Sequence, residues 1–183
     1  MELNPLLEPI APFPVMASLR RADIPAVKGL IADVVLEFYA DLDFLPKTRS
    51  GLLAHYDAVG YLQDIDAFET EYAEANGLFL VLQDASGVIG CGGLRRISAD
   101  QGELVRLWLR KEARGRGYGG MLVREILVAS DRIGYREVLL DTSKRCVAAI
   151  SLFRKSGFHE VPKYKESIGD VFMGKKSPKR GLA

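Results

Sequence analysis

A glycine-rich loop between a strand pattern and a helix pattern constrains the fold of this chain more than any other feature. Residues 103–109, ELVRLWL, have the pattern of a strand, and apolar residues recur at helical spacing from 122 to 133. The four glycines between them are Gly115, Gly117, Gly119 and Gly120. Such a loop presents unpaired N–H groups at the positive end of a helix dipole, and the missing Cβ atoms let an anion approach. Together with Arg114 and Arg116, which add cationic donors, it predicts a pyrophosphate-binding site.

Length and composition favour one globular domain. The 183 residues are 48% apolar, enough to bury a sizeable core. A net charge of +1 gives no general attraction to nucleic acid or to a membrane surface. The proline-interrupted start lacks the features of a signal peptide, and no apolar run approaches the roughly 20 residues that cross a bilayer.

The cysteines and histidines bear on location and metal binding. Cys91 and Cys146 are too few for a disulfide framework, so a reducing cytoplasm is expected. The only two histidines, His55 and His159, lack the spacing of metal ligands. We therefore expect a cytoplasmic protein with no metal site.

The order of predicted elements indicates an α+β fold with a central mixed sheet and helices on both faces. The predicted strands are 15–19, 77–82, 88–97, 103–109, 138–141, 158–161 and 170–175, and the predicted helices are 23–38, 63–76, one ending near 133, and 147–156. Since a helix connects 103–109 to 138–141, these two strands should be parallel. The stretch 41–60 has no regular pattern. We expect an extended lead-in over 1–13, the domain over 14–176 and a basic tail over 177–183.

Two other phosphate-binding motifs compete for the glycine loop. A P-loop ends in Gly-Lys-Ser/Thr, which the sequence GGM does not supply. A dinucleotide motif, G-x-G-x-x-G, begins at Gly115, and Asp141 follows a strand about twenty residues later. Against it, Glu103 and Arg106 interrupt the preceding strand, and polar residues 110–114 separate that strand from the glycines.

A third interpretation rests on several stretches together. Residues 114–119, RGRGYG, resemble the signature of the GCN5-related N-acetyltransferases: Gln or Arg, two residues, Gly, one residue, Gly or Ala. Residues 103–119 resemble the fourth strand and following loop of that family. The sequence 149–158, AISLFRKSGF, is similar to its later helix, which ends in Gly-Phe, and 19–23, LRRAD, fits its first strand and helix start. The resemblance covers about 15–175.

This resemblance implies a GNAT-like domain that moves an acetyl group from acetyl-CoA to an amine by direct attack in a ternary complex. It implies that the pyrophosphate of coenzyme A is held beside Arg114 by main-chain N–H groups. These belong to Gly115, Arg116, Gly117, Tyr118, Gly119 and Gly120. It further implies that the fourth strand splays from the fifth. Main-chain groups of Leu107, Trp108 and Leu109 would then bind the pantetheine arm and polarise the acetyl carbonyl.

Glu103 lies at the strand position where many family members keep a catalytic glutamate, and it could act as a base through water. The alternative is a structural carboxylate paired with Arg106 or with solvent. The irregular stretch falls where family members shape acceptor specificity, and its Asp41, Asp43 and Asp57 could attract a cationic amine.

The usual general acid of the family is a tyrosine four residues before the glycine that ends the later helix. Here that position is Phe153, which cannot donate a proton. Water, Ser151, Tyr118 or Tyr164 could substitute. Both Ser151 and Phe153 are counted among the residues expected to contact the coenzyme.

Phe153 leaves a second class of function open, an acyl-CoA-binding module without catalysis. A dinucleotide-binding enzyme is the third candidate. For the acetyltransferase, the expected partner is a small-molecule or peptide amine, with no nucleic acid and no membrane. The sequence leaves the identity of that amine open, and also the oligomeric state, with a homodimer among the options.

Overall fold

Seven strands form one sheet in the computed structural model of the chain, which describes residues 13–177. The strands are β1 (Val15–Ser18), β2 (Leu78–Asp84), β3 (Gly87–Arg96), β4 (Gln101–Leu109), β5 (Glu137–Thr142), β6 (His159–Glu160) and β7 (Val171–Lys176). The helices are α1 (Ile24–Tyr39), α2 (Arg49–Val59), α3 (Gln63–Asp66), α4 (Tyr118–Ile133) and α5 (Val147–Lys155). The strand order is β1-β2-β3-β4-β5-β7-β6. All neighbours are antiparallel except β4 and β5, which are parallel, and the predicted α+β fold with a mixed sheet is confirmed.

Helices cover both faces of the sheet, and each face has its own apolar core. On the α1 face, α1 and α2 pack against β2 and β3, and Leu30, Ile31 and Leu52 are fully buried. On the α4 face, α4 and α5 pack against β4, β5 and β7, with Ile126 and Phe153 buried. Helical spacing of the apolar residues places them on one side of each helix. Burial of each such side chain stabilises the fold by about 1.5–3 kcal/mol.

Helix α2 corrects the prediction that the stretch 41–60 is irregular. The hydroxyl of Thr48 accepts a hydrogen bond from the N–H of Gly51 at 3.1 Å, which caps the start of the helix. Gly60, with φ +68°, ends it. Leu52 and Tyr56, four residues apart, are the buried side chains of this short helix. Thr48 and Gly60 therefore cap a helix inside the stretch that was predicted to be irregular.

The predicted helix over 63–76 is also different, because it consists of two short pieces. The α-helical turn α3 is followed by a π-helical turn over Glu69–Ala73. This arrangement brings the hydroxyl of Tyr72 to 2.6 Å from the carboxylate of Asp64. π-Helical turns occur often at functional sites. The last helical residue is Ala73, three residues before the predicted end, and Asn76, with φ +58°, precedes β2.

The predicted lead-in and basic tail lie outside the described residues, except for Phe13 and Ser177. Between these two residues, no helix is long and apolar enough to cross a membrane. In the same part of the chain, no three His, Cys, Asp or Glu side chains are placed to hold a metal ion.

Candidate functional site

A split opens in the sheet between β4 and β5. The two strands pair only over Gln101–Glu103 and Glu137–Leu139, whereas β4 continues to Leu109 and stays paired with β3. Beyond this pairing, the main-chain groups of β4 that face β5 have no strand partner among the described residues. Leu107 and Trp108 lie with Leu109 along this open edge, as the family resemblance implied.

A bulge in β4 lies where the split begins to widen. Over one stretch β3 advances by two residues while β4 advances by three, and Arg106 in this stretch has φ +56°. Gly92 of β3 faces the bulge closely, since an added Cβ would lie 3.1 Å from Ile126 and 3.2 Å from Leu107. A bulge bends the strand that carries it and increases its local twist. The bend therefore contributes to the separation of β4 from β5.

The glycine loop leads from the end of β4 into α4. Gly115 and Gly117 have φ +74° and +83°, in the left-handed region that favours glycine. A Cβ at either position would have no atom within 4 Å, so both face open space. The first hydrogen bond of α4 runs from the N–H of Met121 to the carbonyl of Gly117. The N–H groups of the first helical residues, Tyr118 to Gly120, therefore precede the helical ladder.

Gly119 and Gly120 have a different environment from the two left-handed glycines. A Cβ added at Gly119 would lie 3.0 Å from Leu152 of α5 and 3.2 Å from Leu109 of β4. At Gly120, a Cβ would lie 3.8 Å from Leu152. The absence of side chains here lets the start of α4 approach α5 and β4 closely.

The two arginines of the loop differ in their contacts. The guanidinium of Arg114 makes two hydrogen bonds with Glu37 of α1, at 2.7 and 2.9 Å, and lies 5.0 Å from the ring centre of Phe38. Its Nε donates to the carbonyl of Leu109 at 3.0 Å. Arg116 is exposed. Arg114 thus ties the loop to α1, and only Arg116 extends from the loop into solvent.

Glu103 belongs to the last residue pair between β4 and β5 before the split opens, and 2% of its side chain is exposed. Its carboxylate accepts hydrogen bonds from Arg95 at 2.7 Å and from the hydroxyl of Tyr164 at 2.7 Å. It also forms an ion pair with Lys165 at 2.5 Å. Arg106, the partner named in the structural alternative, binds a different carboxylate. Glu103 is therefore paired neither with Arg106 nor with solvent, which were the two partners expected of a structural carboxylate.

Acid should weaken the fold partly through Glu103. Burial alone would raise the pKa of Glu103, but the hydrogen bonds of Lys165, Arg95 and Tyr164 and the charge of Lys165 hold that pKa below its usual range. A depressed folded-state pKa gives stability above the unfolded-state pKa of about 4.3, and this stability is lost as the pH falls further.

Glu103→Gln should therefore lower the melting temperature at neutral pH. The difference from the wild type should narrow as the pH falls below about 4.3 and then through the lower pKa of the folded state, because Glu103 then takes up a proton in both states. Thermal melts followed by circular dichroism between neutral and acid pH measure this. A difference that stays constant over that range would contradict the assignment.

Phe153, at the position of the family's general acid, and Glu103, the expected base, lie on opposite faces of the sheet. Phe153 is 3% exposed and packs edge to face against Phe158 on the α4 face, with 5.8 Å between ring centres, whereas Glu103 lies on the α1 face. Ser151 is exposed on α5, and Tyr118 packs in a small apolar cluster with Leu82, Ile89 and Ala113. The three side chains on α4 and α5 thus lie in different surroundings.

Three further residues with side-chain contacts of interest were not singled out as site residues from sequence. Asp64 binds Arg106, and Lys165 binds Glu103. The hydroxyl of Tyr39, at the end of α1, lies 3.9 Å from the sulfur of Cys146 at the start of α5, and burial raises the pKa of Tyr39 to about 12. These pairs are between 42 and 107 residues apart in the chain, and no local pattern connects them.

Two of the three acids expected to attract an amine form ion pairs within the chain. Asp41 binds Arg145 at 2.6 Å, and Asp57 lies 3.2 Å from Lys28. Asp43 is exposed. Two of the three carboxylates are therefore already paired with cations of the chain itself.

The sequence of this chain is similar to the sequences of acetyltransferases. A model of the acetyltransferase (GNAT) domain matches residues 75–160. An N-acetyltransferase of Schizosaccharomyces pombe is 33% identical over 104 residues, which cover 55% of this chain and 64% of that protein. A probable N-acetyltransferase family 8 member 5 of Mus musculus is 32% identical over 108 residues, covering 56% and 48%. The chain thus spans about half to just under two thirds of these relatives.

Solved structures share the fold over most of the chain. A GNAT-family acetyltransferase of Staphylococcus aureus has a TM-score of 0.75 and 16% identity, covering 89% of this chain and 98% of its own. A PaiA N-acetyltransferase of Thermoplasma acidophilum, solved in complex with coenzyme A, has a TM-score of 0.72 and 21% identity, covering 90% and 99%. At these identities the likeness establishes the fold alone. Residues 75–160 thus match the acetyltransferase (GNAT) domain, and the chain shares the fold of solved GNAT acetyltransferases.

Proposed function

We propose that the chain is an acetyl-CoA-dependent N-acetyltransferase that acetylates an amine of a small molecule or peptide by direct attack in a ternary complex. The observation that carries this proposal is the split between β4 and β5, which leads through the glycine loop to the N-terminus of α4. A strand edge with unpaired main-chain groups can bind an extended arm, and a helix N-terminus can bind a diphosphate. Coenzyme A joins these two chemical groups, so it fits both features.

The loop before α4 is the proposed site of the diphosphate, bound through the N–H groups of 115–120. Gly115 and Gly117 support this, because both are left-handed and both face open space that a Cβ would fill. Arg116 is exposed beside them and is proposed as an additional cationic donor. The Thermoplasma protein of the same fold was crystallised with coenzyme A.

The open edge of β4 is the proposed site of the pantetheine arm and the thioester. Main-chain groups of Leu107, Trp108 and Leu109 would bind the arm, and one N–H aimed at the developing oxyanion would lower the barrier by about 3 kcal/mol. The indole N–H of Trp108, whose side chain packs against the apolar core on the α1 face, is buried and has no hydrogen-bond partner among residues 13–177. Buried donors are normally paired.

The acceptor must lose a proton before or during attack. An alkyl ammonium group with a pKa near 10.4 is the free base in only about one molecule per two thousand at neutral pH, a handicap of roughly 4.6 kcal/mol. A base is therefore useful. Glu103, acting through a water molecule, is the proposed base, and the alternative is a carboxylate that anchors Tyr164 and Lys165.

The departing thiolate does not require a strong acid. A thiol with a pKa near 8.5 leaves about 1.5 pH units, or roughly 2 kcal/mol, uncompensated at neutral pH. Phe153 therefore does not rule out turnover. Among the hydroxyls considered from sequence as the acid, the hydroxyl of Tyr164 donates its hydrogen bond to the Glu103 carboxylate.

Release of free thiol from acetyl-CoA tests the proposal. The protein is incubated with acetyl-CoA and a panel of polyamines, amino acids, aminoglycosides and peptides, and coenzyme A binding is measured by calorimetry. We expect binding of coenzyme A, and thiol release that depends on at least one class of amine. Tight binding without thiol release for any amine would favour the inactive acyl-CoA-binding module. Thermal stabilisation by NAD but not by acetyl-CoA would favour the dinucleotide enzyme.

A cytoplasmic location is part of the proposal. It is supported by the two free cysteines, Cys91 and Cys146, which fit a reducing compartment. Fractionation of the native cell, followed with an antibody to the chain, checks this.

A further inference from the structure

A buried ion pair joins α3 to the bulge in β4. Arg106 donates from Nε to Oδ2 of Asp64 at 3.1 Å and from Nη2 to Oδ1 at 2.9 Å. The two side chains are only 16% and 10% exposed, so dissolved ions screen the pair little. Two parallel N–H···O bonds fix the orientation of the guanidinium as well as its position.

Neighbouring tyrosines hold both members of the pair. Nη2 of Arg106 donates to the main-chain oxygen of Tyr61 at 2.6 Å, and the guanidinium carbon lies 4.6 Å from the centre of the Tyr61 ring. The hydroxyl of Tyr72 donates to Oδ2 of Asp64 at 2.6 Å. Asp64 thus accepts three hydrogen bonds, and the side chain of Arg106 is fixed to the segment 61–72.

The backbone conformation of Arg106 is unfavourable for a residue with a side chain, so contacts of that side chain are needed to maintain it. Its φ of +56° lies in the left-handed region, which residues with a Cβ rarely adopt. Without side-chain contacts, this residue would be free to return to an extended conformation, and the pairing of β4 with β3 would change. The contacts with Asp64 and Tyr61 oppose that change.

We propose that Asp64 and Arg106 are positioning residues that hold the β4 bulge in the geometry required for acetyl transfer. Leu107 and Trp108 directly follow the bulge, and the proposed function, on which this inference rests, assigns their main-chain groups to the thioester arm. Rotation at Arg106 changes the direction of both peptide groups. Asp64 touches neither reactant and acts through Arg106.

The test compares Asp64→Asn, Arg106→Gly and the double variant. Asp64→Asn removes the charge that holds the guanidinium. A misplacement of about 1 Å can cost about 100-fold in rate, and we expect a smaller shift and a fall in kcat of about tenfold. The Kd for coenzyme A should change little. Glycine adopts φ +56° without any side-chain contact, so the double variant should regain most of the lost kcat.

Trp108 provides a second readout that does not depend on activity. It is the only tryptophan of the chain and lies two residues after Arg106. Its fluorescence emission should shift in Asp64→Asn and return toward the wild-type position in the double variant. If no amine is acetylated, the proposed function fails, while the emission spectra still decide whether Asp64 positions β4.

Asp66→Asn is the matched control. It is the same change on the same helix, at a half-exposed carboxylate that pairs with Lys28, and both readouts should stay unchanged. Wild-type kcat and emission in Asp64→Asn, or a double variant as slow as the single one, would overturn the proposal. If Asp64→Asn does not fold, Arg106→Ala and Arg106→Gly decide, because both lose the contacts with Asp64 and only glycine adopts φ +56° freely. A slow alanine variant with a fast glycine variant supports the positioning role, and equal kcat in the two overturns it.

Discussion

Gly117→Asp is expected to weaken coenzyme A binding about a thousandfold while the protein stays folded. The new carboxylate would stand beside the proposed diphosphate. Two unit charges about 4 Å apart near a protein surface repel by roughly 4 kcal/mol, and each 1.4 kcal/mol is tenfold in affinity. The fold should persist because a Cβ at this position meets no atom within 4 Å and aspartate tolerates left-handed backbone better than most residues. Calorimetry with coenzyme A measures the loss.

Gly117→Asn is the control that isolates charge. Asparagine has nearly the same size as aspartate, also tolerates φ +83°, and can donate a hydrogen bond to a phosphate. We expect its affinity to lie much nearer to that of the wild type, and the gap between the two variants to shrink with added salt. Equal affinities for Gly117→Asp and wild type would show that the diphosphate binds elsewhere.

The glycine loop could be predicted from sequence because its chemistry is local. Gly115 and Gly117 adopt backbone angles that favour glycine, and the strand and helix beside them have clear periodicity. The parallel pairing of β4 with β5 followed from the helix that connects them. Helix α2 was missed because only Leu52 and Tyr56 are buried along it, which is too little for a helical pattern.

The side-chain partners of the site could not be predicted, because the tertiary fold determines them. Arg114 was expected to bind phosphate, yet it binds Glu37, 77 residues earlier. The link between Asp64 and the bulge at Arg106 spans 42 residues. Left-handed backbone at an arginine has no sequence signal, since arginine rarely adopts it.

Glu103→Gln is expected to lower kcat/KM by about 100-fold at neutral pH, the lower range of what loss of a general base costs. With the amine that the acceptor panel identifies, the loss should shrink from about pH 7 to about pH 9.5, because more of the amine is then already the free base. The rates are measured as thiol release over that range. A loss that is the same at every pH would remove Glu103 from proton transfer and leave it as an anchor.

Lys165→Met separates these two roles further. The cations beside Glu103 hold its pKa low, which weakens it as a base, so an anchoring carboxylate is the alternative that the experiment must exclude. Lys165 also binds Asp141 at 2.6 Å, and methionine would remove both contacts while the Glu103 carboxylate remains. If Glu103 is the base, loss of the cation raises its proton affinity, and Lys165→Met should keep most of the activity at pH 7. If Glu103 only anchors the segment with Tyr164 and Lys165, the two variants should lose activity alike, because each breaks the same ion pair.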